Sequence, residues 1–200
     1  MKSIAFFDFD GTITSKDTLI EFIRFTVGDF KFIKGIILLS PILILFKLNL
    51  IKNDKAKEKM FSYFFKNTDK VAFRKKATEY SLYHIPKIIR TQAMQRILWH
   101  KKNKHEVVIV SASIESWLKP WCDKNNIKLI STKVEFKNNI LTGNFATKNC
   151  HGIEKVNQIK KNYALDQYST IYAYGDSQGD KALLSIANKS YYKPFRKNHN

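Results

Sequence analysis

Three short runs of apolar, β-branched and aromatic residues recur along the chain, with helical patterns between them. Residues 3–8, Glu106 to Val110 (Glu-Val-Val-Ile-Val) and Thr170 to Tyr174 (Thr-Ile-Tyr-Ala-Tyr) read as buried strands. Helical spacing covers Lys87–His100, Ile114–Asn125 and Glu154–Tyr163, with a break expected at Pro120. Lys133 to Phe145 reads as a hairpin turning at Asn138-Asn139.

Strands that alternate with helices predict an α/β fold, a Rossmann-like parallel sheet with helices on both faces. The stretch from Ser15 to Ile85 breaks that rhythm, being long and mostly helical in pattern. An all-helical cap inserted after the first strand is the economical explanation. The expected division is a catalytic core of residues 1–14 and 86–200 and a cap of 15–85, with Pro86 as the point of return. Inside the insert, Gly35 to Phe46 is nearly all apolar and lies between Lys34 and Lys47. A spanning helix needs about 20 such residues, so this run is too short to cross a bilayer. Cap core, partner interface and shallow membrane docking remain open for it.

Composition adds a direction. Lys and Arg total 35 against 17 Asp and Glu, a formal charge of +18, and residues 52–104 alone carry a net +11. Such an excess suits anionic partners: nucleic acid, acidic lipid surfaces or phosphorylated substrates. The two cysteines, Cys122 and Cys150, lack metal-ligand spacing and point to a reducing, cytoplasmic compartment. The apolar start is too short for a secretory signal and is interrupted by acids, so the N-terminus is read as mature.

The chemistry gathers at strand ends. Asp8-Phe9-Asp10-Gly11-Thr12 closes the first strand, and alternation lets Asp8 and Asp10 share a face. Two crowded acids call for a cation or a shared proton. The second strand runs into Ser111-Ala112-Ser113, where a hydroxyl beside a helix start is a phosphate cradle. The third runs into Gly175-Asp176-Ser177-Gln178-Gly179-Asp180, whose carboxylates suit a hard, oxygen-only Mg²⁺ site. Lys155 opens a helix between them and could bring a point charge to a bound phosphate. Open parallel sheets bind ligands beyond the carboxyl ends of their strands, so all these residues should converge there.

The order Asp-x-Asp-Gly-Thr, strand-end Ser, Gly-x-x-Lys and Gly-Asp-x-x-x-Asp resembles the haloacid dehalogenase superfamily of phosphatases across the whole chain. The inserted cap is similar to that of its phosphoserine-phosphatase-like subfamily IB. Within it, Val110-Ser-Ala-Ser113, Leu141-Thr-Gly143, Cys150-His-Gly-Ile-Glu-Lys155 and Tyr174-Gly-Asp-Ser177 look closest to a bacterial branch that includes phosphatidylglycerophosphate phosphatase C. The resemblance implies a phosphomonoesterase. Asp8 would be the nucleophile that becomes an aspartyl-phosphate, and Asp10 the acid and base. Mg²⁺ would sit on Asp8, the backbone carbonyl of Asp10 and Asp176, with Asp180 supporting the metal or orienting Lys155. Ser111 and Lys155 would hold the phosphate oxygens.

Departures bear on substrate. Phosphoserine phosphatases carry Ser-Gly-Gly where this chain has Ser111-Ala112-Ser113. Asp17 stands where their cap acid would read an amino group, whereas Arg24 and Arg74 match no carboxylate-binding motif. The apolar, basic cap points to a phosphate at an anionic membrane surface, such as a lipid head group, and to peripheral attachment at the inner face of the cytoplasmic membrane. A soluble phosphatase of small metabolites is the alternative. A non-catalytic basic protein that grips lipid or nucleic acid is a more distant one, and acids at the site weigh against nucleic acid.

Overall fold

The computed structural model describes residues 2–48 and 50–196, so residues 197–200 of the expected core lie outside it. Strand β1 (Lys2–Phe7) leads into four helices, α1 (Thr18–Val27), α2 (Asp29–Lys47), α3 (Asn53–Phe65) and α4 (Lys70–Tyr83). A short helix, α5 (Ile85–Ile88), returns the chain to α6 (Thr91–Lys102), β2 (Glu106–Ile114), α7 (Glu115–Lys124) and β3 (Lys128–Thr132). The hairpin β4 (Val134–Lys137) and β5 (Ile140–Phe145) follows, then α8 (Ile153–Asn162), β6 (Tyr168–Gly175), α9 (Lys181–Ser185) and β7 (Lys189–Tyr192).

The main sheet is parallel throughout, in the order β3-β2-β1-β6-β7. Alternation divides its side chains between two cores. Ile4, Phe6, Val108, Val110, Ile171 and Ala173 pack toward Ile159 of α8 and Leu183 of α9. Ala5, Phe7, Val107, Ile109, Tyr172 and Tyr174 face the other way and join a larger core shared with the insert. The chain builds outward from β1 through β2 to β3, then crosses to β6 on the other side. Between β1 and β6 the direction reverses, and a crevice opens at the carboxyl ends of the strands.

The insert leaves and rejoins the core through paired linkers. Ser15 N–H donates to Ile88 O at 2.8 Å, and Arg90 N–H to Ile13 O at 2.8 Å. Pro86 therefore sits at the start of a helical turn, and the crossing falls a few residues later. Phe22 stacks on Trp117 at 4.5 Å, which fastens α1 to α7. The β4–β5 hairpin belongs by sequence to the second half of the chain, yet it packs on the insert. Phe145 N–H donates to Glu58 Oε1 at 2.9 Å, and a Cβ on Gly143 would meet Ser62 Oγ at 2.4 Å.

Pro120 does not break its helix, contrary to the sequence expectation. Trp117, Leu118, Trp121 and Cys122 are buried and hold α7 in place. The neighbouring Trp121 N–H donates to Ser81 Oγ of α4 at 2.8 Å, an interhelical bond that fastens α7 beside the proline. Among the described residues no helix is long and apolar enough to cross a membrane.

Candidate active site

Asp8 follows β1 directly, and its N–H donates to Tyr174 O of β6, so it stands at the crevice between the two strands. It continues the face occupied by Ile4 and Phe6, the face covered by α8. That explains its partner. Lys155, in the first turn of α8, places Nζ 2.5 Å from Asp8 Oδ1 and 2.7 Å from Asp180 Oδ1, with all three side chains buried. The other oxygen of Asp8 accepts from Thr12 Oγ1 at 2.9 Å.

The loop after β6 is organised by Asp180, whose Oδ2 accepts from Ser177 N and Oγ and from Asp176 N at 2.7–3.2 Å. Both Asp180 oxygens are therefore taken, and the residue anchors Lys155 and the loop. Carboxylate oxygens of Asp8, Asp176 and Asp180 lie within 4.8 Å of one another. Gly11 makes that approach possible. Its φ is +80°, and a Cβ there would stand 2.4 Å from Asp176 Oδ2. Arg196 meets the charge of Asp176 at 2.5 Å.

Asp10 lies apart from this cluster. Its Oδ1 accepts from Thr18 N at 2.9 Å, and its Oδ2 accepts from the Ser113 hydroxyl. Thr18 Oγ1 lies 2.9 Å from Ser113 Oγ and accepts from Trp117 Nε1, so the acid is held where insert and core meet. Ser111 lies before a register shift in β2, and its Oγ accepts from Ser113 N at 3.0 Å.

Burial and charge treat the acids differently. Burial pushes Asp8 up to about 7 even though Lys155 pulls the other way. Burial, reinforced by the charge of Asp17, pushes Asp10 to about 6 against Lys57 and its own hydrogen bonds. Burial opposes the charge on Lys155, but Asp8 and Asp180 overcome it and hold the ammonium above its ordinary range. Asp180 is likewise buried, yet Lys155 and Ser177 hold it below the usual carboxylate range.

All seven residues singled out from the sequence line one cavity of about 430 Å³: Asp8, Asp10, Asp17, Ser111, Lys155, Asp176 and Asp180. Asp17 is at its edge, where Oδ1 accepts from Leu19 N and Ile20 N and caps α1. The insert lines the cavity with Leu19, Ile20, Leu43, Phe46, Ala56 and Met60, beside the polar Lys16, Asn53 and Lys57. The sequence motifs contain Thr12 and Ser113 without giving either a role, and Thr18 and Lys57 were missed altogether. Ser113 was within reach, since it repeats the i, i+2 spacing that linked Asp8 to Asp10. Lys57, which also lines the cavity and donates to Ala112 O at 2.8 Å, is one lysine in a long basic run.

The whole chain has relatives of matching length. It is 28% identical to Protein CicA of Caulobacter vibrioides over 192 residues, 95% of this chain and 85% of that protein. In fold it is similar to a protein of unknown function from Bordetella pertussis Tohama I, with a TM-score of 0.81 at 20% identity, covering 95% and 89% of the two chains. It is also similar to a phosphoserine phosphatase structure described as a phospho-aspartyl intermediate analogue, with a TM-score of 0.68 at 16% identity over 94% and 85%. Residues 5–185, from the first strand to the helix after the Asp180 loop, match the haloacid dehalogenase-like hydrolase family. A parallel sheet with Asp8 at its switch point, joined by a buried lysine to the acidic loop after β6, is what that match covers; the chain belongs to the haloacid dehalogenase-like hydrolase family.

Proposed function

We propose that this protein is a Mg²⁺-dependent phosphomonoesterase working through an aspartyl-phosphate on Asp8. The observation that carries the reading is the separation of two acids, each held by its own partners, in one cavity. Asp8 is held by Lys155 and Thr12, and Asp10 by Thr18 and Ser113. Asp8 attacks phosphorus, forming a P–O bond as the bond to the leaving alkoxide breaks. Asp10, near 6, gives its proton to that oxygen and as carboxylate later takes one from the water that hydrolyses the intermediate. Lys155 uses two of its three donors on Asp8 and Asp180, leaving one for a phosphate oxygen alongside Ser111 O–H.

The Asp8, Asp176 and Asp180 carboxylates are hard oxygen donors close enough to share one cation, which fits Mg²⁺. Asp8 and Asp176, with the backbone carbonyl of Asp10, would hold it while Asp180 supports them. Bound there, it offsets the repulsion between nucleophile and phosphate. The inserted helices from Ser15 onward act as the cap over the α/β core, the chain returning to that core at Ile88–Arg90.

For substrate we favour a membrane phosphate such as a phospholipid head group, in line with the branch that includes phosphatidylglycerophosphate phosphatase C. The apolar cap side chains in the cavity support this choice. A small soluble phosphate such as phosphoserine is the second reading, favoured by Asp17 at the cavity edge and by the fold of the solved phosphoserine phosphatases.

Asp8→Asn should lower hydrolysis of a generic aryl phosphate by about a thousandfold or more. Chelation should abolish it and added Mg²⁺ restore it. Full activity in Asp8→Asn, or activity that survives complete chelation, would overturn the reaction assigned here. A panel of phospholipid, amino-acid and sugar phosphates then separates the two substrate readings.

A further inference from the structure

Helix α2 is apolar on two sides, and only one is covered. Gly35 and Leu39 are buried, and Phe32 stacks on Phe64 of α3. Gly35 is tight against that helix, since a Cβ there would stand 2.3 Å from the Phe64 ring. The other side is open. Phe30 (83% exposed), Ile33, Ile37 (65%), Ile44 and Leu48 recur at helical spacing along one stripe, with Leu38 and Leu45 beside it. Isolated exposed apolar residues are ordinary, but a continuous stripe along a 19-residue helix is not.

Charge indicates what covers it. Lys31 and Lys34 flank the stripe, and Lys47, Lys52 and Lys55 follow at its far end. Asp29, the one acid in the helix, is already paired with Arg24 at 2.7 Å. Two copies joined stripe to stripe would bring the Lys31 and Lys34 end of one helix near either the same lysines or Lys47 of the other, in a chain of net charge +18. An anionic lipid interface satisfies both the apolar stripe and its lysine border. The other side of the same helix leads to the active site, because Leu43 and Phe46 line the cavity that also holds Asp8.

We propose that α2 docks this protein on anionic phospholipid bilayers, lying in the interface plane with the stripe from Phe30 to Leu48 in the acyl boundary. In that pose the inner edge of the helix offers Leu43 and Phe46 to the apolar part of an interfacial phosphomonoester while its phosphate reaches Asp8. The docking stands on the helix alone; the delivery of substrate rests on the phosphatase reading above.

The test is co-sedimentation of the full chain with mixed phosphatidylglycerol/phosphatidylcholine vesicles and with pure phosphatidylcholine vesicles. Wild type and Asp8→Asn should both sediment with the anionic vesicles alone. The triple variant Phe30→Ser/Ile37→Ser/Ile44→Ser should lose that partitioning by about tenfold or more. Its hydrolysis of a soluble aryl phosphate should match wild type, since these exposed side chains lie outside the cavity and the core. Lys31→Gln/Lys34→Gln, a milder change, should weaken vesicle binding in a salt-dependent way. Wild type that stays in the supernatant overturns the docking, as does a triple variant that binds like wild type. A wild-type dimer that the triple variant converts to monomer, with no vesicle binding, assigns the stripe to a second copy and overturns it too. Vesicle binding without any phosphatase activity leaves the docking standing and removes the reaction instead.

Discussion

Lys155 is the residue on which the site depends most directly. Its ammonium is buried between Asp8 and Asp180, and removing one partner from such an arrangement strands the other charges in a poorly solvated place. Lys155→Met should therefore destabilise the metal-free protein by about 3–5 kcal/mol at neutral pH. The sign with pH follows from the acids. Burial already raises Asp8 to about 7 with the lysine present; losing the lysine raises Asp8 further and removes the main charge that holds Asp180 below the usual carboxylate range. A folded state that binds more protons than the unfolded chain loses stability as pH rises, so the deficit should be larger at pH 8 than at pH 5. Urea midpoints of wild type and variant at both values measure it, and a pH-independent deficit would refute this account. These residues were legible beforehand because strand ends in a parallel sheet converge whatever the rest of the chain does. Thr18 was not, because a threonine's worth depends on which carboxylate or amide the fold brings beside it.

Among elements, the hairpin shows how local chemistry can be read directly. Two adjacent asparagines between short apolar strands predicted a turn, and Asn138 and Asn139 adopt φ values of 50° and 62°, the left-handed pair of a type I′ turn. A β-branched side chain tolerates that region poorly, at about 1–2 kcal/mol per residue. Asn139→Val should cost that amount, and Asn139→Gly should cost little or nothing, as thermal unfolding can establish. The hairpin's destination was not legible. Lys70 N–H donates to Asn139 O and Leu141 N–H to Thr68 O, contacts made across a long stretch of chain that leave no local pattern. The edge strands β3 and β7 also escaped the sequence reading. Lys-Leu-Ile-Ser-Thr and Lys-Ser-Tyr-Tyr are partly exposed, so neither needs the unbroken apolar run that marked β1, β2 and β6.

At the scale of the whole molecule, helices and sheet are joined behind the site by a buried polar chain that the sequence did not announce. His100 of α6 is fully buried, with Nδ1 2.9 Å from His105 Nδ1 and Nε2 2.9 Å from Tyr174 Oη of β6. Tyr174 in turn stacks on Phe7 at 4.3 Å, so the chain ends against the strand that carries Asp8. A lone histidine in a helical pattern gives no hint of this, because both of its partners come from other elements. Burial, with the neighbouring charges of His105 and Arg96, pushes His100 down from 6.5 to about 3. Between those values the unfolded chain binds a proton that the folded protein refuses, so stability falls as the solution is acidified through 6.5. For one such group the loss between pH 7 and pH 5 is about 2 kcal/mol. Asp8 works in the opposite direction when no metal is bound, and a wild-type curve alone would mix the two. Comparison with His100→Gln isolates the histidine, because titrations at the active site are common to both proteins. The stability advantage of wild type over His100→Gln should shrink by about 2 kcal/mol from pH 7 to pH 5 in denaturant titrations. An advantage that stays constant across that range would mean that His100 is protonated within the fold as readily as in the unfolded chain.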